Sequence, residues 1–152
     1  MNWLFRRRRH APPAQGNIED RSWDFIELQE HGDPQRGYLA AAESGIKSIP
    51  FEIKRVFFIY GVGDSTTQRG GHAHREGKQV FFTLNGSVVV RVRTNHEGSE
   101  IRLHDPHVGL YIPEMMWVEL KDFAPGTAIV GLASNIFDEG DYLILITELP
   151  GI

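Results

Sequence analysis

One dipeptide constrains this chain more than any other feature. Asn85-Gly86 lies between the apolar runs 79–84 and 87–93. An Asn-Gly pair flanked in this way predicts a β-hairpin, because both central residues of the tight turn need positive φ. The rest of the chain has the same texture. Short β-branched and aromatic runs cover 51–60, 79–84, 87–93, 109–112, 116–120, 128–134 and 142–148. Turn residues divide them at 95–98, Asp105-Pro106 and Pro125-Gly126. Strands beginning roughly every 8–12 residues predict a sandwich or barrel, and no window of helical length holds a sustained 3.6-residue apolar period. Val88, Val90 and Val92 alternate with Val89, Arg91 and Arg93, so one face of that strand is apolar and the other mixed. The sequence predicts one all-β domain over 22–152.

Composition narrows the possible functions. A chain of 152 residues can bury one sizeable core and has little room for a second. The absence of Cys excludes a disulfide framework, a thiolate metal site and a cysteine nucleophile. No apolar run reaches the ~18 residues of a membrane-spanning helix. The first five residues are too short for the apolar region of a signal peptide, and their charges follow instead of preceding. A cytoplasmic location without membrane contact is expected. Four arginines at 6–9 leave 12 basic against 20 acidic residues elsewhere, a balance of −8. Phosphate-backbone binding needs a basic folded surface, so no nucleic-acid partner is expected. Pro12, Pro13 and Gly16 break any helix there, and 1–21 reads as a flexible basic tail.

The chemistry concentrates at Arg69-Gly70-Gly71-His72-Ala73-His74-Arg75-Glu76. Residues two apart in a strand share a face, so His72 and His74 point together. Two imidazoles on one wall can ligate a metal or move protons near neutral pH. Gln79 follows His74 by five residues and Gly86 follows Gln79 by seven. This layout resembles the first signature of the cupin superfamily, which implies a jelly-roll β-barrel. In metal cupins a Glu and a later His complete the ligand set; Gln79 and Val118 stand at those positions here. Only two good ligands remain, so acid–base chemistry is expected, with no metal or other cofactor.

A longer match sharpens the reading. The stretch IPFEIKRVFFIYGVGDSTTQRGGHAHR, 49–75, resembles the cupin-type nucleotide-sugar 3,4-ketoisomerases. The likeness continues through Gln79-Val80, Leu84 to Ser87, Val108 to Tyr111, Trp117, Glu119, Asp122-Phe123, Leu132 to Ser134, Asp138-Glu139 and Asp141-Tyr142, and upstream at Gln35 to Leu39. The resemblance implies interconversion of dTDP-4-keto-6-deoxyglucose and a 3-keto isomer through an enediolate, serving deoxysugar and polysaccharide biosynthesis. It implies that both histidines are catalytic, with His72 read as carbon base and His74 as supporting shuttle. Arg36 and Arg69 match arginines of the family pattern and Arg75 replaces a Lys; all three suit a diphosphate. Tyr60, Tyr111 and Trp117 are candidates to stack on base or sugar, with core packing the other role open to Trp117. Glu119, from a matched block, is a further candidate contact. A homodimer is also implied, with residues 23–28 (WDFIEL) suited to covering a sheet edge.

Two departures bear on activity. Phe57 and Phe58 stand where the family has adjacent tyrosines, one of them implicated at the active site, and Val118 replaces a usual His. Tyr38 or Tyr60 is then the candidate phenol. The alternatives are a non-catalytic cupin that binds a sugar nucleotide, a 3,5-epimerase and, last, a metal-dependent oxygenase.

Overall fold

The structure is a computed structural model and describes residues 22–45 and 48–149; the basic tail predicted for 1–21 lies outside the described residues. Twelve strands are present among them: β1 (Asp24–Glu27), β2 (Glu30–Asp33), β3 (Gly37–Ala40), β4 (Arg55–Ile59), β5 (Arg69–His74), β6 (Gln79–Asn85), β7 (Val88–Arg93), β8 (Gly98–Leu103), β9 (Val108–Ile112), β10 (Trp117–Lys121), β11 (Ala128–Ala133) and β12 (Tyr142–Leu143). Two antiparallel five-stranded sheets, in orders β1-β9-β6-β11-β4 and β12-β5-β10-β7-β8, face each other, and β2 pairs with β3 in a separate hairpin. The all-β prediction holds.

Alternation builds the core. Val88, Val90 and Val92 of β7, Val118 and Leu120 of β10, Phe81 of β6 and Ile129 of β11 meet between the sheets. Each such burial contributes about 1.5–3 kcal/mol. The outer face of the first sheet is covered by the preceding chain, with Ile49, Phe51 and Ile53 packed on Val80, Phe82 and Leu132. The outer face of the second is covered by the C-terminal segment, where Leu143 and Leu149 pack on Ala73 and Trp117.

The Asn85-Gly86 turn exists, but it is not a hairpin. Gly86 has φ 75°, whereas Asn85 is outside the left-handed region, so the turn is not the type that twists two strands back onto each other. β6 pairs with β9 and β11 while β7 pairs with β8 and β10, so the turn is a corner between sheets. The loop before β11 holds that corner: Asn85 Nδ2 donates to the Gly126 carbonyl (2.8 Å) and Thr127 Oγ1 to the Ser87 carbonyl (3.0 Å). The hairpin lies one strand later, between β7 and β8. Run 142–148 is strand over two residues only, because Glu148 Oε2 captures the Ile144 and Leu145 N–H groups (3.1 and 2.9 Å) and folds the chain into a 3₁₀ turn. β8, with Ile101 and Leu103 its only buried side chains among charges, forms through its ladder with β7 and the Arg91–Glu100 pair.

Candidate active site

The site starts in the backbone of β5. Gly70 (φ +79°) and Gly71 (φ +77°) turn the chain sharply before it becomes extended at His72. Gly70 also lies against β10: a Cβ there would sit 2.7 Å from the Val118 carbonyl oxygen, whereas one at Gly71 would meet nothing within 4 Å. Left-handed backbone costs a non-glycine about 1–2 kcal/mol. Gly71→Ala is expected to show that cost alone, and Gly70→Ala a visibly larger loss of stability together with reduced turnover, since β10 must shift beneath His72. Paired thermal unfolding and activity measurements on the two variants test this.

Past the glycines, His72 and His74 share the inward face as expected, with ring centroids 5.0 Å apart and planes at 88°. Tyr142 of β12 lies against both, at 4.7 and 4.6 Å, and Phe137 lies 5.8 Å beyond it. His72 is the half-buried member of the pair and His74 the buried one, so His72 faces the opening and His74 stands behind it.

Asp141, buried at the end of a 3₁₀ turn (Glu139–Asp141), organises the rear. Its carboxylate accepts from the N–H groups of Glu76 (2.8 Å) and Gly77 (3.2 Å) and from Asn135 Nδ2 (3.1 Å). The fourth contact is His74 Nδ1 at 2.9 Å. Burial pushes this carboxyl up, but the Glu76 N–H, the Asn135 amide and His74 outweigh it and hold the group below the ordinary carboxylate range. Ionised, it only accepts, so Nδ1 of His74 carries the proton and Nε2 presents a lone pair. That Nε2 is buried without a hydrogen-bond partner among the described residues, the arrangement of a base awaiting its proton donor.

Both imidazoles are held below the usual histidine range. For His72 the main cause is burial, joined by His74 and Arg55 and opposed by a hydrogen bond to the Gly70 backbone. For His74 it is again burial, opposed by Asp141 and reinforced by Arg55. The unfolded chain therefore binds protons that the folded chain refuses, so stability falls as pH drops through the ordinary histidine pKa near 6.5. Asp141, depressed in the fold, extends the loss through the carboxylate range. Monotonic destabilisation from pH 7 to pH 4 is expected in denaturant titrations, and a flat profile contradicts it.

Arg55, Asp141 and Tyr142 were not singled out from sequence as site residues. Asp141 lies 67 positions from the His74 it binds, and Arg55 sits across the barrel on β4. The sequence signals for Arg55 are its place in the matched stretch 49–75 and parity, which puts it on the same face as Phe57 at two-residue spacing.

The other predicted residues scatter. His72 is the register partner of Val118, so Trp117 and Glu119 point to the opposite side of β10. Trp117 packs under the C-terminal segment and donates from Nε1 to Glu119 Oε1 (3.0 Å), and Glu119 Oε2 lies 3.6 Å from Arg91. Tyr111 packs on the outer face of the first sheet with Phe51, and burial together with Glu114 pushes its phenol up to about 12. Tyr60 is 78% exposed and continues the outward face of Val56 and Phe58. Trp117, Glu119, Tyr111 and Tyr60 thus face away from the histidines, because strand parity turns them outward. Phe57, by contrast, faces inward, against Phe81 at 5.9 Å. Arg69 opens β5 and Arg75 follows it, both exposed; Arg75 is 3.8 Å from Glu148. Arg36 and Tyr38 are exposed on the β2–β3 hairpin, where Arg36 Nε bonds Asp33 (2.8 Å).

The family described as FdtA: WxcM-like, C-terminal, matches residues 21–148. The chain belongs to this family. Its relatives include the TDP-4-oxo-6-deoxy-alpha-D-glucose-3,4-oxoisomerase of Aneurinibacillus thermoaerophilus, 42% identical over 108 residues, which are 71% of this chain and 76% of that protein. The QdtA sugar 3,4-ketoisomerase of Thermoanaerobacterium thermosaccharolyticum, solved with TDP, superposes with a TM-score of 0.78 at 40% identity, covering 84% of this chain and 93% of that one. A 3,4-ketoisomerase from Helicobacter canadensis superposes equally well, TM-score 0.78 at 34% identity over 84% and 93% of the two chains. This FdtA-type chain is therefore an isomerase on a cupin jelly roll. No helix among its described residues is long and apolar enough to cross a membrane.

Proposed function

We propose that this chain is a TDP-sugar 3,4-ketoisomerase that moves the carbonyl of a dTDP-4-keto-6-deoxyhexose from C4 to C3 by proton transfer. It works in the cytoplasm as a homodimer, in deoxysugar biosynthesis. The observation that carries the reading is the inward histidine pair backed by Asp141, in a chain of a family whose relatives bear 3,4-ketoisomerase names.

His72, facing the opening, takes the C3 proton. The C–H electron pair becomes the C3=C4 double bond, and the C4 carbonyl π electrons move to O4. The hydroxyl proton on O3 passes to O4, with His74 Nε2 as relay. The C3–O3 carbonyl then forms as C4 takes up a proton. C3 is oxidised and C4 reduced within one molecule, so the reaction balances without an external oxidant. Burial keeps both imidazoles neutral and ready to accept at physiological pH. Arg69 and Arg75, exposed at the two ends of β5, are the candidate diphosphate contacts, and Arg36 and Tyr38 extend from the hairpin as further ones.

One observation favours a second reading, a binder without chemistry. Phe57 faces inward, where a tyrosine hydroxyl of the family pattern would point. An NMR time course with dTDP-4-keto-6-deoxyglucose in deuterated water decides. A 3-keto product carrying deuterium is expected; saturable shifts of substrate signals without exchange would establish the binder. A product altered at C3 or C5 with its carbonyl still at C4 would be an epimerase's.

A further inference from the structure

We propose that Arg55 is the cation that stabilises the oxyanion developing on the sugar beside His72 and His74. The inference rests on the ketoisomerase reading and adds a catalytic residue to it.

Arg55 begins β4 on the inward face, register partner of Ala133 and two residues before Phe57. Its guanidinium carbon lies 5.6 Å from the Phe57 ring centroid and 5.7 Å from that of Phe137, the ring that also backs Tyr142. Its Nε is closed to solvent and has no hydrogen-bond partner among the described residues. No carboxylate among them lies within ion-pairing distance of it, and Asp141 already accepts four hydrogen bonds elsewhere. A partly buried charge and an orphaned donor are costly unless an anion arrives to meet them. The exposed Arg69 and Arg75 suit a solvated diphosphate. Arg55, held between two phenyl rings, suits an anion that exists only inside the barrel.

The charge is felt at the place where the chemistry occurs. Arg55 lowers the basicity of both imidazoles, so the base rests neutral. When His72 removes the C3 proton, negative charge accumulates on O4 and then on O3 within reach of the same imidazoles. A guanidinium offers five N–H donors in a fixed fork, and a preorganised donor aimed at developing charge is usually the largest single electrostatic contribution to such a step.

The test uses the full chain with dTDP-4-keto-6-deoxyglucose in deuterated water, together with imidazole titration by NMR. Facing the histidines are Arg55 from β4, Asp141 from the 3₁₀ turn and Tyr142 from β12, so a shift on changing Arg55 alone is attributable to it. Arg55→Met is expected to lower kcat on the order of 10²-fold with little change in KM, and to move both titrations to higher pH. Arg55→Lys should recover part of kcat. Should Arg55→Met not fold, Arg55→Gln supplies the same readings. Unmoved titrations overturn the proposal, as does a kcat within about threefold of the parent or a loss confined to KM, which would make Arg55 a diphosphate contact. A parent chain that exchanges no hydrogen overturns the ketoisomerase reading and this proposal with it.

Discussion

His72→Asn is expected to reduce C3 hydrogen exchange by on the order of 10²- to 10⁴-fold, the contribution of a positioned general base, and to leave the fold almost untouched. His72 is half-buried at the barrel opening, and its side chain meets the rings of His74 and Tyr142. Asn fits that space and keeps a donor for the Gly70 carbonyl, but has no lone pair of useful basicity. Thermal unfolding should therefore coincide with that of the parent while exchange disappears. Substrate binding, read from saturable NMR shifts, should persist. A His72→Asn chain that still exchanges within tenfold of the parent would transfer the role of carbon base to His74. That histidine is equally aligned but deeper, and Asp141 already orients it.

Asp141→Ala should produce the largest loss of stability of any single change in the site. Four donors lose their acceptor at once: the Glu76 and Gly77 N–H groups, the Asn135 amide and His74 Nδ1. The Gly77 N–H and His74 Nδ1 are buried and the other two donors half-buried. Each buried donor left unsatisfied costs about 1–3 kcal/mol, so the two buried ones alone give about 4 kcal/mol at mid-range, against about 1 kcal/mol for an average substitution. For a domain of this size that lowers Tm by roughly 8–16 °C. Asp141→Asn separates structure from chemistry. With its NH₂ in the place of Oδ2, its amide oxygen keeps the Glu76 N–H bond and its bulk fills the site, while the Gly77 and Asn135 bonds are lost, so stability should fall less than in the Ala variant. Its NH₂ would donate to His74 Nδ1, moving the proton of that ring to Nε2 and removing the lone pair that faces the site. Catalysis should then fall as far as in Asp141→Ala while Tm falls less. A catalytic loss that follows the loss of Tm across the two variants would mean that Asp141 acts only as a structural tie.

Parity explains which parts of this molecule are legible before it is folded. His72 and His74 are two apart on one strand, and spacing alone puts their rings together; the structure finds them 5.0 Å apart. The alternation of Val88, Val90 and Val92 likewise identifies the buried face of β7. Trp117, Glu119, Tyr111 and Tyr60 carry suitable chemistry at suitable distances along the chain, yet each faces outward. Their parity relative to the histidines depends on cross-strand register, such as Val118 opposite His72, and no local pattern contains register. The same holds for Asn85-Gly86, a turn in either case, whose role as corner instead of hairpin depends on the loop at 124–127 holding it.

The sequence by itself determined that this is an all-β domain with a pair of histidines on one strand, because both follow from periodicities of two or three residues. The R-G-x-H-A-H block and its downstream partners supplied the family, which the matching residues 21–148 establish. Only the tertiary structure decided what surrounds the histidines. Asp141 comes from a turn 67 residues away, Tyr142 from a two-residue strand, Arg55 from the opposite sheet. Such contacts cross the barrel, and their energy comes from burial and from the pairing of polar groups that water no longer solvates, neither of which exists until the two sheets close.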